Sequence, residues 1–246
     1  MTQGEGPSRF RPGSWDIGLA LGFWILFLVV MALGGLLLGT LGVGNGDPWA
    51  ILAALPAQLC VMALVPMVLR YRSSQWREDL GLYSPAGPCL LRGIISYLWV
   101  APLWWGVAIV WMTAVQWLEP GHKPEQDAME LLRSLLTGVE PLWVQFAALF
   151  ITTIGAAASE ELLFRGLLQG ALRRFVGKQT GALALGAFFG IVHMQPDLID
   201  SAFVVPPLAF LGYLLSLVRE SPGGLWACIL IHATNNGLAI LFELYK

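Results

Sequence analysis

The stretch FAALFITTIGAAASEELLFRGLLQGAL, residues 146–172, is long and apolar enough to cross a bilayer as a helix, yet it carries Glu160, Glu161 and Arg165 within six positions. Folding alone asks for none of them there. A charge at the bilayer centre costs from about 2.5 kcal/mol on insertion scales to more than 10 in simulation, so such groups face a bundle interior or a wet cavity and mark function.

The rest of the 246-residue chain fits that setting. Hydrophobic residues make up 57% of it and charged ones only 12%, with a mean hydropathy of +0.68, which places it among polytopic membrane proteins. The formal charge of −2 and the absence of any dense Lys/Arg cluster exclude a nucleic-acid partner. Cys60, Cys89 and Cys228 lie far apart without a CxxC and read as small apolar residues.

Working outward, apolar runs occupy Ile17 to Leu41, Trp49 to Leu69, Gly93 to Leu118, Phe146 to Leu172, Gly181 to His193, about Ala202 to Val218, and Gly224 to Leu244. The expectation is an all-α transmembrane bundle of seven helices, an eighth being left open, folded as one integral membrane domain over 1–246. Its chemical core is expected at about 146–240 and its N-terminal helices at 15–145. With the N-terminus cytoplasmic, Arg9, Arg11, Arg70, Arg72, Arg77, Arg92, Arg173, Arg174, Lys178 and Arg219 fall inside and only Lys123, Arg133 and Lys246 outside. Met129 to Leu136 in the long outer loop is expected as an interfacial helix. Trp15, Trp49, Trp117, Trp143 and Trp226 are expected in interfacial belts. Gly18/Gly22, Gly35/Gly39 and Gly166/Gly170 have helix-packing spacing, and Pro206-Pro207 could break the sixth run.

Further polar residues stand where lipid is expected. On a helix Glu161 and Arg165 are i,i+4 neighbours and can pair, while Glu160 projects about 100° away and stays able to take a proton. Phe189-x3-His193 and His232-x3-Asn236 each put two side chains on one face. Counted from the inner boundary at 1.5 Å per residue, Glu160, His193, Asn236 and His232 lie at about 20, 18, 18 and 12 Å, one polar layer. His122, in GHKPEQD, is expected to be solvated.

A carboxylate beside an imidazole can deprotonate water, and a second imidazole with an amide can hold an oxyanion, which together hydrolyse a peptide bond. Alternatively, Glu160, His193 and His232 could bind Zn²⁺, although HExxH is absent. Two readings from other classes remain: a proton-coupled transporter, and a bacteriocin-immunity or scaffold protein.

EELLFRG, FGIVH and HATNN, in this order between Leu149 and Asn236, resemble the EExxxR, FxxxH and HxxxN motifs of the CAAX proteases and bacteriocin-processing enzymes family, which includes the type II CAAX prenyl endopeptidases. The resemblance implies an intramembrane endopeptidase in which Glu160 and His193 activate water, His232 and Asn236 stabilise the oxyanion, and Glu161, Arg165 and Phe189 support the site. It implies a membrane-associated peptide or prenylated protein as substrate and the bilayer as surroundings, with either metal-free or zinc chemistry. The first 145 residues carry no such resemblance.

Overall fold

In the computed structural model, residues 15–44, 46–83, 85–122 and 127–245 are described. The N-terminal Met1 to Ser14 with Arg9 and Arg11, and also Lys123 and Lys246, lie outside them. The chain is all-helical, with no strand among the described residues. The helices are α1 (Ile17–Thr40), α2 (Ala54–Arg72, entered through a 3₁₀ turn Pro48–Ala53), α3 (Trp76–Leu80), α4 (Ala86–Leu118) and α5 (Asp127–Thr137). They continue as α6 (Leu142–Val176), α7 (Lys178–Ile191), α8 (Leu198–Arg219) and α9 (Gly224–Leu244).

Six of these, α1, α2 with its entry turn, α4, α6, α8 and α9, are long and apolar enough to span a membrane. Large apolar side chains such as Leu36, Leu98 and Val110 stand outward on α1 and α4, as lipid requires. The chain is therefore a multi-pass integral membrane protein. The expected count of seven or eight is not reached by helices of that length among the described residues. The Gly181 to His193 run falls on α7, whose 14 residues rise roughly 21 Å against a hydrocarbon thickness of about 30 Å.

Helix α7 packs along α8 because small residues let the backbones meet. A Cβ on Gly186 would come within 2.6 Å of Ala209 O, one on Gly190 within 2.5 Å of Val205 O, and one on Gly212 within 2.8 Å of Phe189 Cβ. The glycine spacings expected to mark packing do less. Gly22, Gly35 and Gly39 face open space, whereas Gly166 packs on another element, against Leu80.

Helix α8 runs unbroken through Pro206-Pro207. Pro206 has no N–H for the carbonyl of Ala202, and the indole N–H of Trp111 on α4 takes that acceptor at 2.7 Å. Trp104 likewise donates to Pro207 O at 2.9 Å. Trp117 and Trp143 are exposed, but Trp15 is fully buried and donates to Leu167 O at 2.9 Å, so it is a core residue and not part of a belt. Helix α5 covers the expected Met129 to Leu136 and buries Leu132 and Leu135 against Val144, Ala148 and Ile240.

At one end of the bundle Glu220 binds Arg173 at 3.0 Å and Lys178 at 3.1 Å, joining the end of α8 to the α6–α7 turn. Arg219, expected in a loop, is fully buried beside Gly81 and donates to Arg165 O and Asp79 O. Gly224 closes the α8–α9 turn with φ +58°, where a Cβ would collide with Gly81 O and the Tyr83 ring, while Leu225 N–H donates to Gly81 O at 2.9 Å. Left-handed backbone costs an L-residue roughly 1–2 kcal/mol, to which the clash adds. Gly224→Ala should therefore lower the thermal unfolding midpoint in detergent, at about 2–4 °C per kcal/mol, while Gly35→Ala, in open space inside α1, should not lower it.

Candidate active site

Helix α6 carries the acidic pair and is not a uniform α-helix. Two π-helical stretches, Ile151–Gly155 and Leu162–Leu168, flank the α-helical Ala156–Glu161. Such widened turns are rare, occur mostly at functional sites and shift the register of side chains beyond them. Carbonyls within them are taken by side chains from elsewhere: Ile151 O by Gln58 Nε2 at 3.0 Å, Thr152 O by Asn236 Nδ2 at 3.1 Å, Arg165 O by Arg219 Nε at 3.2 Å and Leu167 O by Trp15 Nε1. Four separate parts of the chain thus hold α6 in this shape.

Glu161 is fully buried, and its Oε1 accepts from Arg165 Nη1 at 3.0 Å and from His232 Nδ1 at 2.8 Å. The guanidinium also donates to Gly212 O at 2.8 Å and lies over the rings of Phe164 and Phe189, 5.3 and 4.8 Å from their centroids. A buried carboxylate needs this company, because losing water costs several kcal/mol per ion.

Glu160, next in the chain, has no such partner. Its Oε2 lies 3.8 Å from His193 Nε2 and 4.0 Å from His232 Nε2, beyond direct hydrogen bonding. His193 stands in the turn just past α7, not within a helix as expected, and its Nδ1 contacts Phe189 O at 2.7 Å. A carbonyl only accepts, so that Nδ1 carries the proton and Nε2 turns its lone pair towards Glu160. His232 sets its Nδ1 against the carboxylate of Glu161, which leaves its Nε2 on the side of Glu160. The Phe189 ring packs against both imidazoles, with centroids 4.7 and 5.6 Å away, and spaces them. The site is open on one side: the side chains of Glu160 and His193 are 20% and 31% exposed, those of Glu161 and Arg165 0%.

Glu160, His193 and His232 therefore meet, and Glu161, Arg165 and Phe189 surround them. Asn236, one turn from His232 on α9, uses one amide N–H on Thr152 O. Ser159 is bound within its own helix to Gly155 O. For zinc, bonds of about 2.0–2.2 Å would bring donor atoms to roughly 3.3 Å from each other. The Glu160 contacts are longer. Among the described residues the set whose ligand atoms all lie within 4.8 Å is another one, His122, Asp197 and Asp200. Glu160, His193 and His232 do not close around an ion as they stand.

Two contributors went unnoticed in the sequence. Gln58 is a carboxamide in the middle of an apolar run, a signal as readable as the glutamates. Trp15 gave none, since an indole at a span end reads first as a belt residue.

A helical membrane bundle holding a partly open carboxylate against two oriented imidazoles brings together groups that hydrolysis within a membrane requires. Residues 141–238, about two fifths of the chain, match the family described as Type II CAAX prenyl endopeptidase Rce1-like, a similarity that supports a CAAX-type intramembrane protease in general. Comparison with curated proteins and with solved structures gives no match.

Removing one partner of a buried ion pair strands the other. Arg165→Met should cost about 3–5 kcal/mol in a detergent unfolding titration, and Glu161→Leu with Arg165→Met should recover much of that loss.

Proposed function

We propose that the protein hydrolyses a peptide bond near the C-terminus of a membrane-associated, prenylated substrate, with water activated by Glu160 and His193. The observation that carries this is the position of Glu160 Oε2, 3.8 and 4.0 Å from two imidazole Nε2 atoms whose orientation is set from behind by Phe189 O and Glu161. A water between Glu160 and His193 can hydrogen-bond to both. As its oxygen attacks the carbonyl carbon, Glu160 accepts its proton and charge moves to the carbonyl oxygen. His232, as imidazolium with Glu161 as counter-ion, donates Nε2–H to that oxygen, and the Asn236 amide supplies a second N–H. The C–N bond then breaks and Glu160 returns the proton to the leaving nitrogen.

Substrate class follows from the surroundings. The outward faces of the spanning helices are apolar, so a prenyl chain can stay in lipid while the peptide reaches the exposed side of Glu160 and His193. In this reading the chain works as one integral domain, since Gln58 of the second span and Trp15, just ahead of the first, bond to α6. With the N-terminus cytoplasmic, the Glu220 corner faces the cytoplasm. The transporter reading loses one support, because α8 is unbroken at Pro206-Pro207.

Purified protein in detergent should cleave a farnesylated CAAX peptide faster than its unmodified counterpart, and a chelator should leave the rate unchanged. Glu160→Gln should lower kcat by about 10²–10⁴ without lowering the thermal midpoint. Asn236→Ala should lower it by about 10²–10³. Undiminished cleavage by Glu160→Gln would refute the assignment.

A further inference from the structure

Glu220, at the end of α8, binds Lys178 at the start of α7, so the two antiparallel helices begin at one level. From there α7 rises roughly 21 Å and α8 spans roughly 33 Å. The 192–197 connection therefore climbs about 12 Å outside regular helix, and His193 is its second residue. Backbone of this kind is tolerated at membrane depth only inside protein or along a wet cavity, and something must hold it.

The holding contacts form a continuous series. Gln195 Nε2 donates to His193 O at 3.0 Å, and Gln195 N–H donates to Ser201 Oγ at 2.9 Å. The buried Ser201 hydroxyl lies within 3.0 Å of Gln195 O and 2.9 Å of Asp197 O. Asp197 caps α8 by accepting from Ile199 and Asp200 N–H, bonds that hold its carboxyl below the usual carboxylate range. Asp200, on the same first turn, accepts from His122 Nε2 at 2.7 Å. The His122 ring stacks on Phe203 at 5.8 Å and 16°. His122 comes from the turn after α4 and was expected to be solvated; its side chain is only 29% exposed because α8 supplies both partners. His122 Nε2 with Asp200 Oδ1, and Asp197 Oδ1 with the first amides of α8, each carry a hydrogen bond, which makes the cluster a clamp.

We propose that His122 is a positioning residue for His193: by clamping Asp200 and Phe203 it fixes the start of α8, and through Ser201 and Gln195 the placement of the connection that carries the imidazole. This rests on the reading of His193 as part of the water-activating pair. The clamp touches no substrate, so its loss should act on turnover and spare binding.

The test uses the full-length protein with the farnesylated peptide and four variants, alongside Glu160→Gln. His122→Ala and Asp200→Ala should each lower kcat by roughly 10-fold, within the range that a small misplacement produces, with KM changed less than about twofold. The double variant should be no worse than either single one, as for residues acting through one contact. Asp200→Asn, whose amide oxygen still accepts from the imidazole, should keep at least half of wild-type kcat. Wild-type kcat in His122→Ala beside an inactive Glu160→Gln would overturn the clamp and leave the proposed function standing. Equal losses in Asp200→Asn and Asp200→Ala would overturn it too. Full activity in Glu160→Gln would defeat the water-activation reading and this inference with it.

Discussion

Everything in this structure turns on the carboxylate of Glu161, buried in the bundle and held by Arg165 at 3.0 Å and His232 at 2.8 Å. A buried charge is tolerable only when its partners are close and themselves satisfied. Arg165 is held in turn by Gly212 O and the faces of Phe164 and Phe189, and His232 reaches the carboxylate from the last helix. One acidic group thereby ties α6, α7, α8 and α9 together. Its neighbour Glu160, left out of the network, is the group that faces the two Nε2 atoms. The asymmetry of the adjacent pair is the chemical content of the site.

That arrangement requires α6 to depart from regular helix. In a uniform α-helix each carbonyl within the rod is taken by the N–H four residues on; the two π stretches alter this pattern on both sides of Ala156–Glu161. Side chains from α2, α9, the end of α8 and the start of α1 bond to carbonyls there. Pro206 poses the same problem on α8, and Trp111 resolves it in the same way. In a medium without water, polar backbone atoms freed from the helix ladder must find protein partners, and those partners assemble the tertiary structure.

Much of this was legible in the sequence and some was not. Apolar runs of spanning length announce helices, and charges among them announce a buried polar site, because both follow from the cost of moving groups into hydrocarbon. The fifth run, Gly181 to His193, misled because hydropathy does not reveal that α7 stops short and that His193 sits in the following turn. The π turns leave no mark in composition. Trp15 and Trp111 look like any interfacial indole until the carbonyl each one serves is known. Gly186 and Gly190, which let α7 meet α8, have the same spacing as Gly35 and Gly39, which face open space; only the position of the neighbouring helix separates them. His122 was misjudged because its partners lie 78 and 81 residues further on.

The account makes Glu160 a base that hands a water molecule to the peptide and never bonds to carbon. A single turnover begun by diluting enzyme in ordinary water into H₂¹⁸O tests this directly, with both peptide and enzyme read by mass spectrometry. The account predicts one ¹⁸O in the new peptide carboxylate and none in the fragment that contains Glu160. Label in Glu160 with unlabelled peptide product would mean that the carboxylate itself attacked, and would contradict it.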